Sequence, residues 1–172
     1  SLLLAIEKGL RIPLVYNTGG YELARVIQML SGIVDIYLMD MRYGDSASAL
    51  KYSDAPDYPT YNQEAAKEMY RQVGTEGLII RHLVLPNGIS GTDKVMRFIK
   101  EEVSEQTYIS LMSQYLPCYK AGGFRELARR ITHEEYAQAQ AIMQRYGLEN
   151  GWTQDSGGLE RFAGTNIKPN PK

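Results

Sequence analysis

Cysteine is almost missing from this chain: of 172 residues only Cys118 is a cysteine. That excludes an intrachain disulfide framework and leaves no thiolate cluster to hold zinc or an iron–sulfur centre. A surplus of either charge is also missing. Lys plus Arg number 19 against 20 Asp plus Glu, for a net charge of -1, so there is no basic footprint for nucleic acid and no polybasic membrane patch. No apolar run approaches the ~20 residues needed to cross a bilayer, and Ser1 opens directly into LLLAIEKGL without a basic n-region. The expectation is a cytoplasmic protein with no nucleic-acid and no membrane partner. No lysine lies in any strand-like run, which disfavours a Schiff-base aldolase. Ser110 and Ser113 have no His and Asp pattern around them, and Cys118 follows Pro117 without a partner, so covalent catalysis is not expected.

What is present is ordinary globular material, 44% hydrophobic and 23% charged, enough for one domain with a sizeable core. Its central stretch is Gly32 to Asp45, GIVDIYLMDMRYGD. The apolar, β-branched and aromatic run Ile33 to Met39 is short, follows a glycine and ends in charge, as a buried parallel strand does. Similar runs predict strands at Ile12 to Tyr16, Gly77 to Leu85 and Thr107 to Ser113, with a short last one at Gly151 to Gln154. Helices are predicted over Ser1 to Lys8, Tyr21 to Leu30 and Tyr61 to Val73. A further helix is capped by Asp93 and runs to Glu102, and a last one is opened by a Thr132–Glu135 capping box. Gly9, Gly32, Gly74 and Gly147 stand at helix ends with apolar strands after them, so the repeating unit is helix, glycine, strand, and the class is α/β with a parallel sheet. Residues 1–154 form the ordered unit, and the Gly, Asn and Pro-rich stretch 155–172 reads as a poorly ordered tail.

Polar groups gather at successive strand ends: Asn17 and Thr18, Asp40 and Arg42, then Gln114 with Tyr115, while Arg81 lies within the third long strand. Counting by twos puts Val34, Ile36, Leu38, Asp40 and Arg42 on one strand face. The carboxyl ends of parallel strands are where α/β folds place their sites. From this stretch alone, an Asp N-cap followed by a solvated Arg fits as well. An arginine on an inward face needs a partner, and Asp40 is the candidate for Arg81. His82 falls on the other strand face and reads as a satisfied core histidine, and His133 as an exposed one. Gly19-Gly20 reads as a tight turn before a helix or as a place where a ligand meets backbone. Acids, amides and an arginine of this kind suit a zwitterion with a ribose, whereas a metal would want more His or carboxylates.

The segments RIPLVYNTGGYE, IVDIYLMDMRYGD, YSDAPDYP, IIRHLVLPNG and YISLMSQYLPCYKA, in this order and spacing, resemble the C-terminal portion of a radical S-adenosylmethionine enzyme. The group is that of pyruvate formate-lyase-activating-like proteins, and the likeness runs up to about Trp152. It implies an incomplete (β/α) barrel of the radical SAM type, parallel strands with outer helices. It also implies S-adenosylmethionine and a 4Fe-4S cluster in the intact protein, with reductive cleavage of the cofactor to a 5′-deoxyadenosyl radical and a glycyl-radical partner enzyme. By the resemblance, Asn17, Thr18 and Asp40 lie near the cofactor's amino-acid end or an accompanying cation and Arg42 near its carboxylate. Gln114, or alternatively Tyr115, lies near the adenosine, and Arg81 sits in the pocket wall facing the substrate. The family's C-x-x-x-C-x-x-C cluster loop and its Gly-Gly-Glu segment are absent from this sequence, so by itself the chain is expected to be inactive, to bind no metal and to hold no cofactor tightly. It reads as a piece of something longer.

The competing reading is a non-catalytic α/β ligand-binding or interaction module, and a cysteine motif upstream in the gene would decide between them. Either way the sheet is expected to have four or five strands and to stay open. Its first edge would be covered by the N-terminal helix, the tail or a second copy, and the Asp40–Arg81 pair would be solvent-screened and worth little.

Overall fold

Each strand is joined to the next by a long, helix-bearing connection of the kind that parallel pairing requires, and the strands lie parallel. The computed structural model describes residues 2–154. It contains one five-stranded sheet in the order β1-β2-β3-β4-β5, with every neighbouring pair parallel. The strands are β1 (Val15–Thr18), β2 (Ile36–Asp40), β3 (Leu78–Leu83), β4 (Tyr108–Met112) and β5 (Gly151–Thr153). The helices are α1 (Leu2–Glu7), α2 (Ala24–Gln28), α3 (Ser46–Ser53), α4 (Tyr58–Gly77), α5 (Thr92–Phe98) and α6 (His133–Arg145). The sheet is open, an α/β arrangement with helices on one face, as expected. Residues 155–172, read as a tail, lie outside the described residues.

The register fixes the two faces. Tyr16, Tyr37, Met39, Leu78, Ile80, Ile109 and Leu111 alternate onto the helix side, where Ala65, Ala66 and Met69 of α4, Val95 and Met96 of α5 and Tyr136, Ala139 and Met143 of α6 complete one core. Asn17, Leu38, Asp40, Ile79, Arg81, Ser110 and Met112 alternate onto the other side. Each crossover therefore puts its apolar stripe under the sheet and leaves the polar strand ends above it.

Helix α4 starts at Tyr58, three residues before the expected Tyr61, and three further departures from the sequence expectation have identifiable causes. Strand β1 begins three residues late, because Leu14 is spent on Asp35: its N–H donates to the Asp35 carboxylate at 2.7 Å and its carbonyl accepts from the N–H of Asp35 and of Ile36. Asn17 and Thr18 are thus inside the strand. Helix α2 is only five residues long, since Glu22 is held back by Tyr16 and Thr18 and Ile33 and Val34 turn onto the Leu30 carbonyl. Asp93 does not cap α5. Gly91 does, in the left-handed region, and Asp93 pairs instead with Arg145 and with the Tyr146 hydroxyl. The Thr132–Glu135 capping box of α6 is formed as expected.

The β1 edge is the unfinished side. Ile12 and Val15 stay 68% and 52% exposed, so α1 does not seal this edge, and Leu23, Val26 and Met29 of the α2 region are exposed beside it. No helix among the described residues is long and apolar enough to cross a membrane.

Candidate functional site

At the carboxyl end of β2 the alternation delivers what the sequence implies: Asp40 and, two residues on, Arg42, on the face away from the helices. Asp40 is only 8% exposed. Arg42 reaches back over it, donating from Nε at 3.2 Å and from Nη2 at 2.7 Å to Oδ2. Burial works against the charge on Arg42, but the hydrogen bonds to Asp40 and its negative charge outweigh burial and raise the guanidinium pKa above its ordinary value.

Arg81 is opposite Asp40 in the β2–β3 register and lies across the sheet. Its Nη2 is 2.6 Å from Asp40 Oδ1 and donates at 2.7 Å to Asn17 Oδ1 on β1. The approach to Asp40 lacks hydrogen-bond alignment, so that contact is Coulombic. Asp40 Oδ1 and Arg81 Nε therefore remain buried with unused hydrogen-bonding capacity. The pair is more enclosed than a solvent-screened surface pair, since the side chains are 12% and 26% exposed. This corrects the expectation that the pair is solvent-screened, and removing either partner would leave an uncompensated buried charge.

Asn17, Asp40, Arg42 and Arg81 thus converge. Gln114, just past β4, shares a cavity with three of them, and Tyr115 lines it too. The cavity, about 520 Å³, is bounded by Asp40, Arg42, Arg81, Gln114 and Arg130 among polar groups and by Tyr43, Leu83, Leu85, Met112, Tyr115 and Leu116. Its volume suits a small organic molecule. Thr18 does not join them: it falls on the helix-facing side, where its hydroxyl bonds Glu22 and accepts from the Gly20 N–H at 3.0 Å.

Two residues that the sequence reading passed over hold this mouth from behind. Asn62 of α4, almost fully buried, donates from Nδ2 to the carbonyls of Gly20 at 3.0 Å and Asp40 at 2.9 Å. The Tyr58 hydroxyl accepts from the Arg42 N–H at 3.0 Å and lies 3.3 Å from the Asp40 carbonyl, to which it donates. Burial pushes the Tyr58 hydroxyl up to about 12, so it stays a neutral donor. A signal for Asn62 was present: it is the polar member of the buried stripe Asn62, Ala65, Ala66, Met69, at helical spacing. Gly20 belongs to the same clasp. A Cβ there would be 2.3 Å from Asn62 Nδ2 and 2.5 Å from the Asp40 carbonyl, so Gly20 serves the tight turn.

His82 is fully buried on the helix side, as expected. Its Nδ1 donates to the Met41 carbonyl at 2.6 Å, which makes Nε2 the acceptor for the Thr92 hydroxyl at 3.0 Å. Burial lowers its pKa to about 4, against a smaller opposing effect of the Met41 carbonyl. Cys118 is exposed, and no three His, Cys, Asp or Glu side chains among the described residues come together to hold a metal. By type, the donor set suits the amino-acid end of S-adenosylmethionine: a carboxylate for an ammonium, guanidiniums for a carboxylate, amides for a ribose. It does not fit an iron–sulfur cluster, for which one exposed thiol is too few.

No protein-family model matches the sequence. The chain is 32% identical over 139 residues to an uncharacterized protein of Methanocaldococcus jannaschii, a match that takes in 80% of this chain. It spans only 40% of that relative's length. Among solved structures, the chain is similar to a domain of pyruvate-formate lyase-activating enzyme from Bacteroides vulgatus, with a TM-score of 0.60 and 18% identity over 90% of this chain and 87% of that one. At that identity the likeness is one of fold, and the open, all-parallel sheet with its helices is the fold of that domain.

Proposed function

We propose that this chain is the C-terminal portion of a radical S-adenosylmethionine protein of the activating-enzyme type, and that the mouth of its sheet binds the amino-acid end of the cofactor. The observation that carries the reading is the Asp40–Arg42–Arg81–Asn17 cluster, charged and mostly enclosed, whose Asp40, Arg42 and Arg81 line the cavity. Asp40 takes the cofactor's ammonium and Arg42 its carboxylate. Gln114 meets the adenosine side, and Arg81 forms the wall toward the substrate while steadying Asp40 and Asn17. Thr18 contributes from behind, through the Glu22 and Gly20 contacts that shape the turn. When bound in the intact protein, S-adenosylmethionine and a reduced 4Fe-4S cluster would supply hydrogen-abstraction chemistry, and the residues of this chain would hold the cofactor's amino-acid end. The cysteines for that cluster belong to sequence outside this chain. Two facts support an incomplete unit: the chain spans less than half of its archaeal relative, and apolar side chains gather unsealed at the β1 edge.

Calorimetric titration of the chain with S-adenosylmethionine is expected to show weak binding. Asp40→Asn, which removes the partner of the ammonium, should weaken it about tenfold, and Arg42→Ala, which removes the partner of the carboxylate, by a similar factor. Unchanged affinity in both variants, or no binding at any concentration, contradicts the assignment.

A further inference from the structure

The cavity that the charge cluster lines carries more cation than the cofactor's amino-acid end uses. Its lining holds three guanidiniums, Arg42, Arg81 and Arg130, against a single carboxylate, Asp40. Asp40 already engages Arg42 and Arg81. Arg130 has no such partner. Its neighbour Arg129 is taken by Glu135 and the Asn87 side chain, whereas the Arg130 guanidinium makes no ion pair or hydrogen bond among the described residues and borders the cavity. The wall near this excess of positive charge is apolar, with Leu85, Tyr115 and Leu116. Arg130 is exposed at the rim, and a concave surface with three guanidiniums around one carboxylate holds a net positive potential that favours an anionic head group. An apolar wall in turn is wasted on a bare inorganic anion.

We propose that this cavity binds a small amphiphilic anion, a carboxylate or phosphate monoester on an apolar body, with Arg130 as the residue that holds its head group. The inference names a second ligand for the cavity whose Asp40, Arg42 and Gln114 the cofactor reading also uses, and its own support is Arg130 and the apolar wall.

The test is a binding series of equal shape and different charge: phenylpropanoate, phenylpropanol and phenylpropylamine titrated into the chain, with acetate and inorganic phosphate as anions lacking an apolar body. Phenylpropanoate is expected to bind about tenfold more tightly than the alcohol and the amine, and more tightly than acetate or phosphate. Arg130→Ala should remove most of that preference, while Arg97→Ala, an exposed cation of α5 away from the cavity, should leave it intact. Asp40→Asn separates this inference from the cofactor reading, because it should tighten phenylpropanoate and loosen S-adenosylmethionine. Equal binding of the three charge states, or full retention of the preference in Arg130→Ala, overturns the anion site whatever S-adenosylmethionine does. Loss of S-adenosylmethionine binding alone leaves the anion site standing and removes the other.

Discussion

Replacing Gly20 by alanine should destabilise the protein by roughly 3 kcal/mol, whereas the same change one residue earlier, at Gly19, should be nearly neutral. Gly20 has φ of +73°, where an L side chain costs about 1–2 kcal/mol. Its new Cβ would also meet Asn62 Nδ2 at 2.3 Å and the Asp40 carbonyl at 2.5 Å. Neither can yield cheaply. The amide is buried and bonded to both the Gly20 and Asp40 carbonyls, and the carbonyl belongs to the strand end that carries the site. At Gly19 a Cβ would meet nothing within 4 Å. Denaturant unfolding of the two variants checks this: the midpoint should fall sharply for Gly20→Ala and hold for Gly19→Ala. Equal effects would mean that Asn62 does not clasp the turn.

The second large effect is a loss of stability in mild acid. His82 has a pKa of about 4 in the folded protein against an ordinary 6.5, because burial disfavours the imidazolium. The folded state therefore excludes a proton that the unfolded chain binds. The stability His82 permits is complete above pH 6.5 and falls as pH drops toward 4, by at most 1.36 kcal/mol per unit, about 3 kcal/mol in all. The steep part lies above the range in which most carboxylates titrate, so it can be read between pH 7 and 5, where a loss of about 2 kcal/mol is expected. Replacing His82 by Gln should flatten that slope while lowering stability at pH 7. A wild-type profile level from pH 7 to 5 would show that His82 charges within the fold without cost. His82 Nδ1 bonds the carbonyl of Met41, the residue between Asp40 and Arg42.

Much of this was written locally. The period-two alternation of LMDMR and of the IIRHLV strand placed Asp40, Arg42 and Arg81 on one face and His82 on the other, because a strand whose buried set is fixed cannot slip by one residue. Thr132 and Glu135 announced their helix because a capping box is a contact between near neighbours. What was misjudged depends on residues far apart in the chain. Asp35 takes Leu14 across 21 positions and delays β1, so Thr18 becomes a strand residue whose side chain faces the helices. Asn62 and Tyr58 reach the Asp40 carbonyl from α4, a contact that no periodicity within β2 announces. Arg81 was given its partner correctly and its environment incorrectly, since burial follows from the loops that wall the cavity, and those have no regular spacing to read.

The measurement that bears most directly on the cofactor reading is an amide chemical-shift map of the isotopically labelled chain as S-adenosylmethionine is added. The account predicts saturable shifts gathered at Asn17, at Asp40 to Arg42, at Arg81 and at Ser113 to Tyr115, with the helix face of the sheet quiet. Shifts centred instead on the smaller cavity between α5 and α6, around Gly91 and Gln138, or an unchanged spectrum, would contradict it.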